Sequence, residues 1–284
     1  MKTLFFLLFI SVTTFAQQPS FGVKVTGKGK PMILIPGLYS GGGVWDETVA
    51  HYASHYECHA ITLPGFAGQP PIVADSILQE VTHQLAAYIK QHQLKKPVIV
   101  GHSLGGYLAL NLAIYYPALT GDLVIVSSAP FLPALSISPT ITEDSAKAIA
   151  TQIRNGMKNM TPAQVKGSQQ YMLPTMMNDS VKVAQVTEMA VRSDIPTQAQ
   201  VMYELFSIDL RPLVKNITSR ILVVGDWYGY RNYGATRQVT QERLEGQFKP
   251  AKSVKIVITD TAKHFIMFDE PVWFFAQVDE FLKK

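Results

Sequence analysis

A single cysteine, Cys58, stands among 284 residues. That excludes an internal disulfide framework and any multi-cysteine metal site. Charge is scarce too. Charged residues make up 16% of the chain, and 25 Lys and Arg against 21 Asp and Glu leave a net +4. So small an excess, spread along the chain, leaves no nucleic-acid footprint. Beyond the first sixteen residues no apolar run approaches the ~20 residues that a bilayer span needs. No internal repeat or low-complexity tract is present. What the chain does have is apolar material, 47% of its residues. That is enough for a sizeable core in one large domain or two small ones.

The start of the chain has the layout of an address. Lys2 is followed by an apolar stretch from Leu4 to Phe15, then by Ala16 and the polar Gln17-Gln18-Pro19. A charged start, a short apolar segment and a small residue before the polar switch predict a signal peptide over 1–16, cleaved after Ala16. The mature protein is then expected to be periplasmic or secreted. It has no stable membrane span once the signal is removed, and a lone cysteine suits an oxidising compartment.

Along the rest of the chain short apolar runs alternate with helical patterns. Phe21–Val25, Met32–Ile35, Cys58–Thr62, Pro97–Val100, Leu123–Val126, Ile221–Val224 and Val254–Ile258 read as strands. Several are continuously apolar, as strands buried on both faces are. Trp45–Ser54, Ala74–Gln93, Leu104–Tyr116, Thr236–Phe248 and Pro271–Lys284 read as helices. The alternation predicts an α/β fold, a doubly wound and mainly parallel sheet with right-handed crossovers and helices on both faces. From Pro130 to Ser207 the strands stop, and helix-compatible segments are broken at Pro133, Pro139, Pro162, Pro174 and Pro196. The expected organisation is a core over 17–129 and 209–284 with a helical cap inserted over 130–208.

Gly101-His102-Ser103-Leu104-Gly105-Gly106 fits Gly-x-Ser-x-Gly. The setting gives this short pattern its weight, because a predicted strand ends just before it and a predicted helix opens at Leu104. A sharp strand-to-helix turn presents the serine oxygen at the carboxyl edge of the sheet in a strained backbone conformation. Glycines at 101 and 105 let neighbouring backbone pass without a Cβ clash. The Leu104 N–H opens the helix and is free to meet negative charge on an attacked carbonyl. A serine hydroxyl needs a base. Among the histidines, His264 lies in the loop after the last strand, at the same sheet edge. His51, His55 and His59 recur every four residues, but two are expected on a helix and the third on a strand, so no metal face results. His102 is expected to point away from the serine.

Ile33-Leu34-Ile35-Pro36-Gly37-Leu38, Leu63-Pro64-Gly65-Phe66-Ala67-Gly68, the Gly-His-Ser-Leu-Gly-Gly segment and His264-Phe265-Ile266-Met267 resemble the α/β-hydrolase fold family over residues 21–284. The resemblance implies Ser103 as nucleophile, His264 as base and two backbone amides as the oxyanion hole. The family often has His-Gly where this chain has Pro36-Gly37. The family's donor is the residue after the glycine, so the expected pair is Leu38 and Leu104. Family members commonly place an aspartate three residues after the glycine that ends the penultimate strand. That slot holds Tyr228 here, and Asp226 stands two residues early. Asp226 is the expected triad acid and Asp260 the alternative. After Val126, where an acid stands in some designs, this chain has Ser127-Ser128.

Seven of the ten methionines fall between Met157 and Met202. They either pack the cap onto the sheet or line an adaptable apolar pocket. Six basic and six acidic residues balance within 130–208, so an uncharged substrate is expected. Trp227, Tyr228, Tyr230 and Tyr233 either add an aromatic wall or pack a loop. Together these features predict a serine hydrolase that cleaves an uncharged or apolar acyl small molecule, a carboxylic ester first, through an acyl-enzyme. Amide or carbon–carbon bond hydrolysis by the same residues, and a non-catalytic binding protein on the same scaffold, are the alternatives. None of these chemistries calls for a metal or an organic cofactor, and no nucleic-acid partner is expected.

Overall fold

The structure is a computed structural model and describes residues 19–283. The signal segment expected over 1–16 lies outside them. The described residues form a seven-stranded sheet in the order β1-β3-β2-β4-β5-β6-β7. The strands are β1 (Gly22–Gly27), β2 (Lys30–Ile35), β3 (Tyr56–Thr62), β4 (Val98–His102), β5 (Leu123–Val126), β6 (Ile221–Gly225) and β7 (Val254–Ile258). β1 runs antiparallel to β3, and every other pair is parallel. β4, β5 and β6 are buried along their whole length, which is why their sequences are unbroken apolar runs rather than alternating ones.

Successive strand residues serve opposite faces. Ile33, Ile35, Ile99, Ile125 and Val223 join a core with α2 (Ile77–Gln91) and α3 (Leu104–Tyr115). Met32, Leu34, Val98, Val100, Val124 and Val224 join a second core with α1 (Asp46–Tyr52) and the C-terminal helix. α3 is buried all round from Leu104 to Ile114 and apolar except at Asn111, which donates to Thr82, as suits a helix at the centre of a three-layer fold. The helix expected over Trp45–Ser54 is shorter: a 3-10 turn over Gly42–Trp45 leads into α1. His55 therefore lies in a turn after α1 and not on the helix, while His59 sits on β3. Among the described residues no cluster of His, Cys, Asp or Glu suited to a metal ion occurs, and no helix is long and apolar enough to cross a membrane.

Between β5 and β6 the described residues hold no strand; a 3-10 turn over Arg211–Asn216 leads into β6 and is preceded by five α-helices. They are α4 (Leu132–Ser136), α5 (Glu143–Met157), α6 (Pro162–Met176), α7 (Ser180–Val191) and α8 (Ile195–Ser207). The prolines mostly mark helix starts. Pro133, Pro162 and Pro196 occupy the first or second position of their helices, where the missing N–H costs nothing. Thr161 and Gln164 form a reciprocal capping box at the start of α6. Pro174, by contrast, does not break its helical segment. It sits in the last turn of α6, which continues to Met176. The carbonyl deprived of a partner is four residues back at Gln170, an exposed residue, so water can satisfy it.

These helices are tied to α2 and to the loop after β3 by polar contacts. Glu204 of α8 is buried and accepts hydrogen bonds from the Ile77 and Leu78 amides and the Ser76 hydroxyl, each at 2.9 Å. It thus caps α2 from outside the chain segment, with the carboxylate at the positive end of the helix. The Asp194 amide donates to the Gly65 carbonyl (2.8 Å), and the Ser193 hydroxyl accepts from the Ala67 amide (2.8 Å). After β6 come α9 (Arg237–Phe248), then, past β7, the short α10 (Ile266–Asp269) and α11 (Pro271–Leu282).

Candidate active site

Ser103 stands between β4 and α3 with φ 51° and ψ −115°. A positive φ on a non-glycine residue is strained, and such strain persists only where packing enforces it. Here the enforcement is visible. The Ser103 amide donates to the Val126 carbonyl of β5 (2.9 Å), and its carbonyl already accepts from Gly106 and Tyr107 in the first turn of α3. A Cβ on Gly101 would strike the Gly105 carbonyl, and one on Gly106 would come within 2.6 Å of the Ser128 Cβ. Glycine at these positions lets strand and helix fold back on each other tightly enough to push Ser103 outward. Ser103 is half-exposed between buried neighbours.

The loop after β2 reaches the same corner. A Cβ on Gly37 would lie 3.2 Å from the Ser103 Cβ and 2.8 Å from His102 Nδ1, so the Gly37 backbone touches the serine residue. Leu38 follows directly. Tyr39 then takes φ 65°, and the Ser40 amide closes the turn on the Gly37 carbonyl at 3.2 Å. Burial pushes the Tyr39 phenol up to about 12, so it stays neutral beside this turn. Leu104, the first residue of α3, is buried, and its amide precedes the first i−4 hydrogen bond of the helix.

β7 ends at Ile258, and the loop after it carries His264. The structure brings this loop to the tip of β4. His102 Nε2 lies 3.0 Å from the His264 carbonyl, and the two imidazole rings are 4.7 Å apart. The His102 ring packs against Phe265 at 4.5 Å. Burial, and secondarily the neighbouring His264, hold His102 well below the usual imidazole range, so it stays neutral.

Asp226 is the first residue past β6. Its Oδ1 is 3.8 Å from His264 Nδ1, and its side chain is 6% exposed. That is ion-pair distance and longer than a hydrogen bond. Asp226 Oδ2 is buried with no hydrogen-bond partner. Asp260 has a different setting. It is 76% exposed and accepts a hydrogen bond from Arg237 Nε at 3.0 Å. Tyr228, in the slot two residues after Asp226, opens a 3-10 turn and lies under the Arg231 guanidinium at 3.9 Å. The rings of Tyr230 and His264 meet at a steep angle, centroids 6.4 Å apart. Burial, with Asp226 adding to it, raises the Tyr230 phenol far above the ordinary value. Tyr233 is exposed.

Three polar residues around His264 escaped the sequence reading. Ser127 Oγ donates to the His264 carbonyl at 2.8 Å. Asp269 accepts from the Lys263 amide at 2.9 Å and the Asn178 amide at 2.8 Å. Lys263 Nζ donates to the carbonyls of Pro174 (2.6 Å) and Met177 (3.3 Å), where a cation suits the carboxyl end of α6. The Phe265 amide also donates to the Met176 carbonyl at 3.0 Å. The corner between α6 and α7 is therefore bolted to both neighbours of His264. Met177 and Met189 are buried in the core beneath this corner, whereas Met172 is exposed. Met189 Sδ also meets the Gly41 amide at 3.4 Å. These contacts leave no periodic trace in the sequence, because all but the Lys263–Asp269 bond join segments far apart in the chain.

Known proteins resemble this chain over most of its length. The pimeloyl-[acyl-carrier protein] methyl ester esterase of Vibrio vulnificus (strain CMCP6) is 24% identical over 203 residues, 70% of this chain and 76% of the relative. The enzyme of that name from Vibrio atlanticus (strain LGP32) is 24% identical over 269 residues, 90% of this chain and 93% of the relative. Among solved structures, a thermophilic esterase from Thermogutta terrifontis superposes with a TM-score of 0.75 at 16% identity, covering 93% of each chain. The enol-lactonase from Burkholderia xenovorans LB400 gives 0.73 at 16%, covering 93% of this chain and 96% of its own. These structural likenesses speak for the fold. The model of the alpha/beta hydrolase family matches residues 32–277, and with that match over most of its length the chain belongs to the alpha/beta hydrolase family.

Proposed function

We propose that this protein is a serine hydrolase that cleaves an uncharged acyl small molecule, a carboxylic ester, through an acyl-enzyme. The observation that carries the reading is Ser103 held at φ 51° on a strand-to-helix turn, with the His264 loop docked on the adjacent residue and Asp226 facing His264 Nδ1. The curated relatives named above are methyl ester esterases, which supports an ester over an amide.

In this reading Ser103 Oγ attacks the carbonyl carbon and His264 Nε2 takes its proton. Nε2 is the free ring atom, since Nδ1 faces Asp226. The Asp226 carboxylate holds that tautomer and stabilises the imidazolium as it forms. The Leu38 and Leu104 amides receive the oxyanion. Donors of this kind typically contribute about 3 kcal/mol each to lowering the barrier. The tetrahedral adduct collapses, the carbon–oxygen bond to the leaving group breaks, and His264 returns the proton to the departing alkoxide. Water then gives a proton to His264 and attacks the acyl-Ser103 ester. Collapse of that second adduct releases the carboxylic acid and restores the serine.

A fluorophosphonate probe and a series of para-nitrophenyl esters of varied chain length test the reading. Rapid labelling and ester turnover, both lost in Ser103→Ala, are expected. A folded wild-type protein that neither labels nor turns over any ester would instead be a binding protein on a hydrolase scaffold. The reading also includes export: cleavage after Ala16 gives a mature protein that starts at Gln17, which intact mass of the periplasmic or secreted form checks.

A further inference from the structure

The carbonyl oxygen of His264 takes two hydrogen bonds, from Ser127 Oγ at 2.8 Å and His102 Nε2 at 3.0 Å. Both donors are buried, and they sit at the tips of the two central strands β5 and β4. Strand pairing puts them side by side, since His102 is in register with Val126. The acceptor is a carbonyl, so His102 must carry its proton on Nε2. Its Nδ1 is left buried and unpartnered behind Gly37. The arrangement thus tolerates an orphaned acceptor in order to direct the donor at His264.

Ser127 is strained for the same purpose. Its φ is 49°, a left-handed value that glycine adopts freely and serine does not. Its amide already has a partner, the Val224 carbonyl at 2.8 Å. Glycine would therefore satisfy the backbone at this position without strain. What glycine lacks is the hydroxyl, and the hydroxyl is spent on the His264 peptide.

We propose that Ser127 and His102 are positioning residues that fix the peptide of His264 to the strand tips beside Ser103, and so set the distance between base and nucleophile. The inference rests on the reading of Ser103 and His264 as nucleophile and base. The neighbours of His264 are tied elsewhere, Lys263 to Asp269 and Phe265 to Met176, which anchors the loop to α10 and the insertion. Of the two bonds to the His264 carbonyl, the one from His102 ties it to β4, the strand that carries the serine, and the one from Ser127 ties it to the end of β5 alongside. A base displaced by about 1 Å loses on the order of 10²-fold in rate, so the anchor acts on turnover rather than on substrate affinity.

The test compares Ser127→Gly with the wild type. Glycine relieves the φ strain, so the thermal midpoint is expected to hold or rise. Meanwhile kcat on a para-nitrophenyl ester is expected to fall at least tenfold, with KM within about threefold and fluorophosphonate labelling of Ser103 slowed in proportion. A residue with a purely structural role would not lose turnover while keeping stability. His102→Gln retains an amide donor at the reach of Nε2, and is expected to recover most of the turnover that His102→Leu loses. If the wild type labels at Ser103 and Ser127→Gly keeps kcat within twofold, the anchoring role is overturned while the reading of the site stands. If the wild type does not label at all, the reading of Ser103 falls, and this inference falls with it.

Discussion

Replacing Asp226 with asparagine separates the electrostatic job of that residue from its bulk. The carboxylate oxygen is 3.8 Å from His264 Nδ1. At an effective dielectric near 20, two unit charges at that distance attract by about 4 kcal/mol. The full attraction exists only while His264 is an imidazolium, so its loss raises the barrier by that amount. At about 1.4 kcal/mol per factor of ten, kcat should fall about 10³-fold. An interaction made mainly in the transition state lowers kcat and kcat/KM together, so KM should stay within about threefold. Stability should move the other way. Asp226 Oδ2 is buried without a hydrogen-bond partner, a cost that a neutral amide reduces, so the thermal midpoint of Asp226→Asn is expected to hold or rise. Asp260→Asn is the control. Its exposed carboxylate serves Arg237, and pairs of that kind contribute little, so turnover should stay within twofold. Steady-state ester hydrolysis and a thermal melt read both quantities. An Asp226→Asn enzyme with more than about a tenth of wild-type kcat, or an Asp260→Asn enzyme equally impaired, would refute the electrostatic argument.

Glu204→Leu orphans the Ile77 and Leu78 amides that its carboxylate now serves; a loss of about 3 kcal/mol should lower the thermal midpoint by roughly 6–12 °C, and a shift under 2 °C would mean the cap contributes nothing. Burial keeps native His102 neutral below the ordinary value of 6.5, whereas the unfolded ring binds a proton there. Stability should therefore fall as pH drops from 6.5 to 5, by up to about 1.4 kcal/mol per pH unit from this residue. His59, lowered in the same direction chiefly by burial, adds to that slope. Urea melts of His102→Gln should show a shallower slope than the wild type, and an identical slope counts against burial as the cause. Gly37→Ala would put a methyl 2.8 Å from His102 Nδ1 and 3.2 Å from the Ser103 Cβ, so the loop carrying Leu38 must shift; kcat should drop on the order of 10²-fold in a protein whose circular dichroism is unchanged.

Local chemistry made most of the scaffold legible. β4, β5 and β6 are continuous apolar runs because both their faces are covered, and a run of that kind is visible without knowing what covers it. Glycines around Ser103 were legible for a related reason, since only close backbone approach explains so many in one corner. Pro174 misled because a proline in the last turn of a helix costs little when the freed carbonyl faces water, and exposure is not written in the residue itself. The contacts of Ser127 were illegible for a deeper reason. Sequence placed Ser127-Ser128 at a strand tip where an acid was absent, and an absent acid suggested an empty position. In the fold, β5, β6 and β7 lie side by side. Their ends therefore deliver residue 127, residue 226 and the loop after residue 258 to one row. Strand order, not local pattern, decides that these three meet. In that row the hydroxyl at 127 reaches the His264 peptide, in the loop that follows the last strand. The position left without an acid is occupied by a donor instead, and it acts on the backbone of His264 while Asp226, one strand further along, faces its ring.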